Sequence, residues 1–258
     1  MEKKYEIILF GATGFTGQLC AKYFKQNYPD LTWAIAGRDK NKLDDINNKF
    51  NLNVDTLVAD GDNLEALRVM AGQAKVILST AGPFARYSDL LVQACVEQGT
   101  HYTDITGENH WVRTLIDKHH ENASLKGVRI VPSCGYDSIP SDIGTFFAVS
   151  QFNKPVKRVE LFQEMQGGAS GGTIETAFSM GKLSKEMRDP FLLNPENSST
   201  EEQRKYSKDM MRIEKIEELD GWSGMFVMAA GNTRVVRRTA ALMEQNQNSY
   251  GANFTFGE

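Results

Sequence analysis

Ile7-Ile8-Leu9-Phe10-Gly11-Ala12-Thr13-Gly14-Phe15-Thr16-Gly17 is the stretch that decides the fold. An apolar, strand-like run stops at Gly11, glycines recur at positions 14 and 17, and a helical pattern opens directly afterwards. A strand that ends in a tight glycine turn and feeds a helix aims several unpaired backbone N–H groups, and the positive end of the helix dipole, at one point. A pyrophosphate fits there, which makes Gly11, Thr13, Gly14, Phe15, Thr16 and Gly17 cofactor-binding candidates. The spacing is G-x-x-G-x-x-G, with Thr13 where the second glycine of the G-x-G-x-x-G dinucleotide fingerprint would stand.

Working outward, Phe15, Leu19, Cys20, Tyr23 and Phe24 form an apolar stripe at helical spacing that is expected to pack on a sheet. Strands are expected at Leu31–Ala36, Val54–Ala59, Lys75–Thr80, around His101–Ile105 and at Val128–Pro132. Helical patterns fall between them, including Ser88–Gln98 and a helix from about Asn109 to Ala123. Short, mostly apolar strands alternating with helices imply an α/β protein with a Rossmann-type doubly wound parallel sheet. In such sheets ligands sit outside the carboxyl ends of the strands. Gly11, Arg38, Asp60, Ala81, Asp104 and Cys134 all fall at those ends.

Arg38 ends the second strand, where an acidic residue would grip a ribose 2′-hydroxyl and an arginine would accept a 2′-phosphate. The expected cofactor is therefore NADP(H), ahead of NAD(H), which the adjacent Asp39 could serve. Asp60 would sit beside the adenine, unless it caps the following helix. Thr80, Ala81, Gly82 and Pro83 are small residues that permit the close backbone approach a nicotinamide ribose requires. Short-chain dehydrogenases need a Tyr-x-x-x-Lys pair, and none of the eight tyrosines has a lysine four residues on.

Composition narrows the remaining classes. The 258 residues can bury a substantial core, and the net charge of -4 gives no general attraction to nucleic acid. Cys20, Cys95 and Cys134 are odd in number and widely spaced, which suits free thiols in a reducing compartment. No zinc spacing is present, so no metal site is expected. The apolar run after Lys3-Lys4 meets Gly11 at once, unlike a signal peptide, and no run approaches a membrane span; the expected address is cytoplasmic.

Near Lys154-Pro155 the pattern changes, dividing the chain into an NADP-binding domain over residues 1–153 and a smaller substrate or closure domain over 154–258. There Val156–Met165 alternates like a strand, Gly167–Gly172 is a glycine-rich turn and Thr173–Leu183 reads as helical. The polar stretch Ser184–Lys208 shows no buried face and reads as a loop, lid or solvated linker, and further strands or irregular pieces are expected from Met225 onward. Tyr136 and Asp137, at a strand end, and Ser170, in the glycine turn, are the candidate proton donors or polarisers.

Five runs together carry a family resemblance: the glycine turn, Ala36-Gly37-Arg38, Ala81-Gly82-Pro83-Phe84, His101-Tyr102-Thr103-Asp104-Ile105-Thr106-Gly107-Glu108 and Cys134-Gly135-Tyr136-Asp137-Ser138-Ile139-Pro140-Ser141-Asp142. They resemble the saccharopine dehydrogenase-like oxidoreductases, a group that includes the bacterial trans-acting enoyl reductases. Ser170-Gly171-Gly172-Thr173 and Asn232-Thr233-Arg234-Val235-Val236-Arg237-Arg238 extend the likeness into the second domain. The resemblance implies an NADP-dependent oxidoreductase acting on a small-molecule substrate of acyl or lipid type, with membrane or lipid association in some members. Family members continue beyond a stretch like Tyr250-Gly251-Ala252-Asn253-Phe254, so the second, α/β (α+β) domain reads as truncated. A non-catalytic NADP-binding scaffold and a saccharopine-type amino-acid dehydrogenase are the alternatives, the latter needing a carboxylate-binding cluster such as Arg234, Arg237 and Arg238. A homo-oligomer is compatible with all three.

Overall fold

The computed structural model of the chain describes residues 2–136, 138–164, 186–207, 209, 212–217 and 220–258. By internal contacts it divides into two units, Met1–Thr106 with Thr114–Cys134, and Gly107–Arg113 with Gly135–Glu258.

In the first unit, strands β1 (Tyr5–Phe10), β2 (Trp33–Gly37), β3 (Asp55–Val58), β4 (Ala74–Ser79), β5 (His101–Asp104) and β6 (Ile130–Val131) form one sheet in the order β3-β2-β1-β4-β5-β6. All five pairings are parallel. Helices α1 (Phe15–Asn27), α2 (Lys40–Lys49), α3 (Leu64–Ala71), α4 (Phe84–Tyr87), α5 (Asp89–Gln98) and α6 (Asn109–Leu125) make the crossovers. This is the doubly wound sheet expected from the sequence, with strand order reversing between β1 and β4. The central strands are mostly apolar because both faces are covered: Ile8, Leu9, Ala34, Ile35, Ala36 and Ile77 are fully buried. The helix expected over Ser88–Gln98 is α5, and the short α4 precedes it.

Helix α1 corrects one reading. Its buried residues are Gly17 and Ala21, with Cys20 and Phe24 packed beside them against Leu9, Trp33 and Ile35. Phe15, Leu19 and Tyr23 of the expected packing stripe are instead exposed, at 74%, 49% and 54%. Small side chains on the sheet-facing side let the helix approach closely, and that rotates the larger apolar residues outward.

The second unit contains α7 (Ile139–Ser150), a parallel pair of β7 (Arg158–Glu160) with β10 (Thr255–Gly257), and an antiparallel pair of β8 (Glu214–Ile216) with β9 (Gly221–Ser223). It also contains a 3₁₀ turn at Glu186–Arg188, α8 (Glu201–Tyr206) and α9 (Ala229–Gln245). Val236, Tyr250, Phe254 and Phe256 form its core, with Val149, Val156 and Val159 against them. The strand expected over Val156–Met165 is confined to β7 among the described residues. The expectations for Gly167–Gly172 and Thr173–Leu183 lie outside the described residues.

Two expectations for this unit are overturned. Asn232–Arg238, read as a strand or irregular piece, lies inside α9, and Asn232, Thr233, Arg234, Val236 and Arg237 are buried. The described part of Ser184–Lys208 is no solvated linker, because Phe191 and Leu193 are buried. The two differences have one cause. Arginines on the buried side of α9 donate to that segment's carbonyls: Arg234 to Arg188 and Asp189 at 2.7 and 3.0 Å, Arg237 to Pro190 at 3.0 Å, and Arg238 to Leu193. Helix α8 is closed by a capping box in which Thr200 and Gln203 exchange hydrogen bonds.

Asp142 of α7 is a pH-sensitive feature of this unit. Its Oδ2 accepts from the Thr239 hydroxyl at 3.0 Å, while Oδ1 is buried with no partner among the described residues. Burial raises its pKa to about 6, and the Thr239 bond offsets this only in part. A carboxyl raised above its unfolded value contributes stability that is fully present below the ordinary carboxylate range and is lost as pH rises through about 6. Asp142→Asn keeps an acceptor for Thr239 and carries no charge. It is expected to equal the parent in acid and to exceed it by about 2–3 kcal/mol well above pH 6, as urea unfolding across pH would show. A variant no more stable at alkaline pH would contradict the assignment.

Candidate functional site

The parallel register sets the carboxyl ends of five strands side by side. Gly37 pairs with Val58, Phe10 with Ala36 and with Ser79, and Ser79 with Asp104. Along this edge of the first unit Asp60, Arg38, the glycine turn, Thr80–Pro83 and Asp104 therefore follow one another, with neighbouring strands about 4.8 Å apart. The glycine turn stands where the strand order reverses, the place at which doubly wound sheets bind ligands.

The three glycines of the turn do different things. Gly11 has a φ of +83°, and a Cβ on it would lie 2.9 Å from the Ala81 nitrogen. Gly17 is where α1 crosses the turn, and a Cβ there would lie 2.3 Å from the Gly11 oxygen and 2.9 Å from the Thr80 hydroxyl. Gly14, the N-cap of α1, has an ordinary φ of -73°, and its Cβ would meet only the Gly11 oxygen, at 3.4 Å. Its missing side chain thus leaves the mouth of the helix open. Helices α2 and α3 are closed by side chains, Asp39 accepting from the Lys42 amide at 3.1 Å and Asn63 from the Ala66 amide at 3.0 Å. Helix α1 has no side-chain cap, and among the described residues the amides of Thr13, Phe15 and Thr16 meet no acceptor. A cluster of unmet donors at an open helix mouth suits the pyrophosphate of a dinucleotide.

On one side of the turn Arg38 is exposed and has no hydrogen-bond or ion-pair partner among the described residues. Asp39, the acidic alternative, is engaged as the α2 cap. Asp60 is exposed and accepts from the Asp62 amide at 3.1 Å, closing a local turn, while Asn63 caps α3. On the other side Thr80 donates its hydroxyl to the Phe10 and Gly11 carbonyls, both at 3.2 Å, so it braces the turn. Ala81 packs where the Gly11 Cβ would be, and Gly82 and Pro83 lead into α4.

Of the three candidate proton donors, Tyr136 is 64% exposed and belongs to the second unit. Asp137 and Ser170 lie outside the described residues. The arginine cluster proposed for a substrate carboxylate is otherwise engaged. Arg234 and Arg237 are buried and pair with Asp209 at 3.2 and 3.3 Å while donating to backbone carbonyls. Among the described residues no group of three or more His, Cys, Asp or Glu side chains could hold a metal ion, and no helix is long and apolar enough to cross a membrane.

One site feature was not drawn from the sequence. Asp104, 1% exposed at the end of β5, accepts from the amides of Thr106 and Ser133 at 2.9 and 3.0 Å and from the Tyr102 hydroxyl at 2.9 Å. Burial and the Asp104 carboxylate raise the Tyr102 pKa well above its usual value, so the phenol remains a donor. The only signal in the sequence is an acidic residue closing a short strand.

An all-parallel sheet of order 3-2-1-4-5-6 with an open, uncapped first helix defines a dinucleotide-binding domain of Rossmann type. Residues 7–131 match the family described as the saccharopine dehydrogenase NADP binding domain, which bears out the resemblance read from the sequence and supports NADP(H) as the cofactor. Over the whole chain the protein is 35% identical to the trans-acting enoyl reductase of Mycobacterium ulcerans and 34% identical to that of Mycobacterium leprae. It spans 65% of the length of each. Saccharopine dehydrogenase of Saccharomyces cerevisiae aligns with 57% of this chain and 31% of its own, at 15% identity and a TM-score of 0.49.

Proposed function

We propose that the protein is an NADP-dependent reductase acting on a C=C, C=O or C=N group of an acyl or lipid-type substrate. The open, uncapped mouth of α1 at the strand-order reversal carries this reading, together with the unpaired guanidinium of Arg38 one strand away. The likeness to trans-acting enoyl reductases supports the acyl class of substrate and double-bond reduction among the reactions.

In this reading NADPH supplies the hydride. The amides of Thr13, Phe15 and Thr16 bind the pyrophosphate, and Gly14 leaves room for it. Arg38 binds the 2′-phosphate, and Asp60 lies beside the adenine. Thr80 holds the turn in place, and Ala81, Gly82 and Pro83 give the nicotinamide ribose close backbone approach. Tyr136, Asp137 and Ser170 remain the candidate donors toward the substrate. The amino-acid dehydrogenase alternative loses support, because Arg234 and Arg237 are bound internally.

Arg38→Ala is expected to weaken NADPH binding by about 1.5–3 kcal/mol, the range for hydrogen bonds to a charged group, and to leave NADH binding unchanged. Titration with both nucleotides checks it, and an equal loss for both would remove Arg38 from this role. The reaction itself is tested by following NADPH oxidation with trans-2-enoyl thioesters, 3-keto thioesters and imines, with binding measured in parallel. Turnover on at least one class is expected. Tight NADPH binding without turnover on any class would favour the scaffold.

A further inference from the structure

We infer that Asp104 is a positioning residue for this reaction, because its buried carboxylate fixes both non-helical points at which the chain leaves the first unit; the inference rests on the reductase reading. The first unit ends at Thr106 and again at Cys134. Asp104 Oδ1 accepts from the amide of Thr106 at 2.9 Å and from the amide of Ser133 at 3.0 Å, and the Asp104 carbonyl accepts from the amide of Cys134 at 2.7 Å. The remaining passage, between Arg113 and Thr114, lies inside α6, where the helix is itself the connection.

The two exits arrive from opposite directions in sequence, one directly after β5 and the other after α6 and β6. The pairing of β5 with β6 ends at Thr103 and Val131, and beyond it the Asp104 hydrogen bonds are what join the two exits. Ser133 has a φ of +63°, a left-handed conformation that a residue other than glycine adopts only when its surroundings hold it. The amide bond to Asp104 supplies that hold. Tyr102 completes the arrangement by donating its hydroxyl to the other carboxylate oxygen at 2.9 Å, so the acid accepts donors on both oxygens although only 1% of it is exposed.

The location gives the arrangement its consequence. Asp104 pairs with Ser79 at the end of β4, and Thr80–Pro83, which follow directly, are the residues assigned to the nicotinamide ribose. The exits are thus anchored one strand away from where the reacting end of the cofactor stands in the proposed reading. An error of about 1 Å in placing a reacting group costs on the order of 100-fold in rate. Loosening both exits should lower turnover and leave the phosphate-binding end of the site as it was.

Asp104→Ala in the full chain tests this. Alanine removes both carboxylate oxygens, so the amides of Thr106 and Ser133 lose their side-chain acceptor; asparagine would not serve, because its one carbonyl oxygen can still accept from both. NADPH affinity is expected within about twofold of the parent, kcat lower by about 10–100-fold, and amide exchange at Thr106 and Ser133 about 10-fold faster. Amides of β1 and β4, such as Ile8 and Ile77, should exchange as before. An unchanged kcat, unchanged exchange at the two exits, or a fall in NADPH affinity matching the fall in kcat would overturn the assignment. Should the alanine variant not fold, Tyr102→Phe removes one donor to the carboxylate and leaves both hydrogen bonds from the backbone amides; a smaller change in the same two readouts is expected, and no change in either overturns the proposal. A parent protein that turns over none of the enoyl, keto or imino acceptors would defeat the reductase reading, and the exchange measurement would still decide whether Asp104 fixes the exits.

Discussion

Gly17→Ala is expected to destabilise the first unit by about 3 kcal/mol and to weaken NADPH binding by at least about 100-fold. In the interior of a helix, alanine normally stabilises relative to glycine by up to about 1 kcal/mol. Here the added Cβ would stand 2.3 Å from the Gly11 oxygen and 2.8 Å from the Ala12 Cα. Both are backbone atoms, so no side chain can rotate away, and α1 must shift off the turn and carry its amides with it. Gly14→Ala is the control. Its Cβ meets the Gly11 oxygen at 3.4 Å at an ordinary φ, so stability should change by no more than about 1 kcal/mol. That methyl stands at the open helix mouth, and NADPH affinity should still fall about 10-fold. Urea unfolding paired with NADPH titration separates the two. Equal stability losses in both variants, or unchanged affinity in Gly14→Ala, would mean that the turn does not hold the pyrophosphate in this way.

Arg237→Ala is expected to cost the second unit about 3–5 kcal/mol, the range for breaking a buried ion pair by removing one partner. Arg237 is 4% exposed. It donates to the Pro190 and Phe256 carbonyls at 3.0 and 3.3 Å and to Asp209 at 3.3 Å. Burial lowers its pKa to about 10 even with Asp209 beside it, so removal from water outweighs the attraction between the charges. What is lost on truncation is mainly the donors. Two backbone carbonyls are left without their arginine, and among the described residues Asp209 keeps Arg234 at 3.2 Å and Thr233 at 3.0 Å. Denaturant titration of the variant measures the loss. A cost under about 1 kcal/mol would show that water replaces the arginine at those carbonyls. NADPH binding should be within twofold of the parent, since every residue assigned to the nucleotide belongs to the first unit.

The first unit was legible in the sequence because its signals are local. Apolar runs such as Trp33–Gly37 stop at residues that cannot continue a buried strand, and those stops mark the ligand edge. Arg38 and the glycine turn are proposed for the nucleotide from position alone. The second unit was less legible because distant partners decide it. Val235-Val236 suggests a strand, but the side chains that matter are Arg234 and Arg237, whose hydrogen bonds to residues 188–190 and to Asp209 make one face of a helix buriable. The same partners bury Phe191 and Leu193 in a stretch that reads as solvated. Helix α1 was misread for a physical reason too: side-chain size indicated the wrong face, because close approach selected Gly17 and Ala21. The Asp104 arrangement was out of reach because two of its three donors are backbone amides, which every residue but proline carries.

The unclosed start of α1 makes cofactor concentration a determinant of how much folded protein exists. Donors that no side chain meets are satisfied by water when the nucleotide is absent. A ligand that binds only the closed helix adds RT ln(1 + [L]/Kd) to the folding free energy, about 2.7 kcal/mol at 100 times its Kd. The supply of NADPH then acts on how much of the protein is folded.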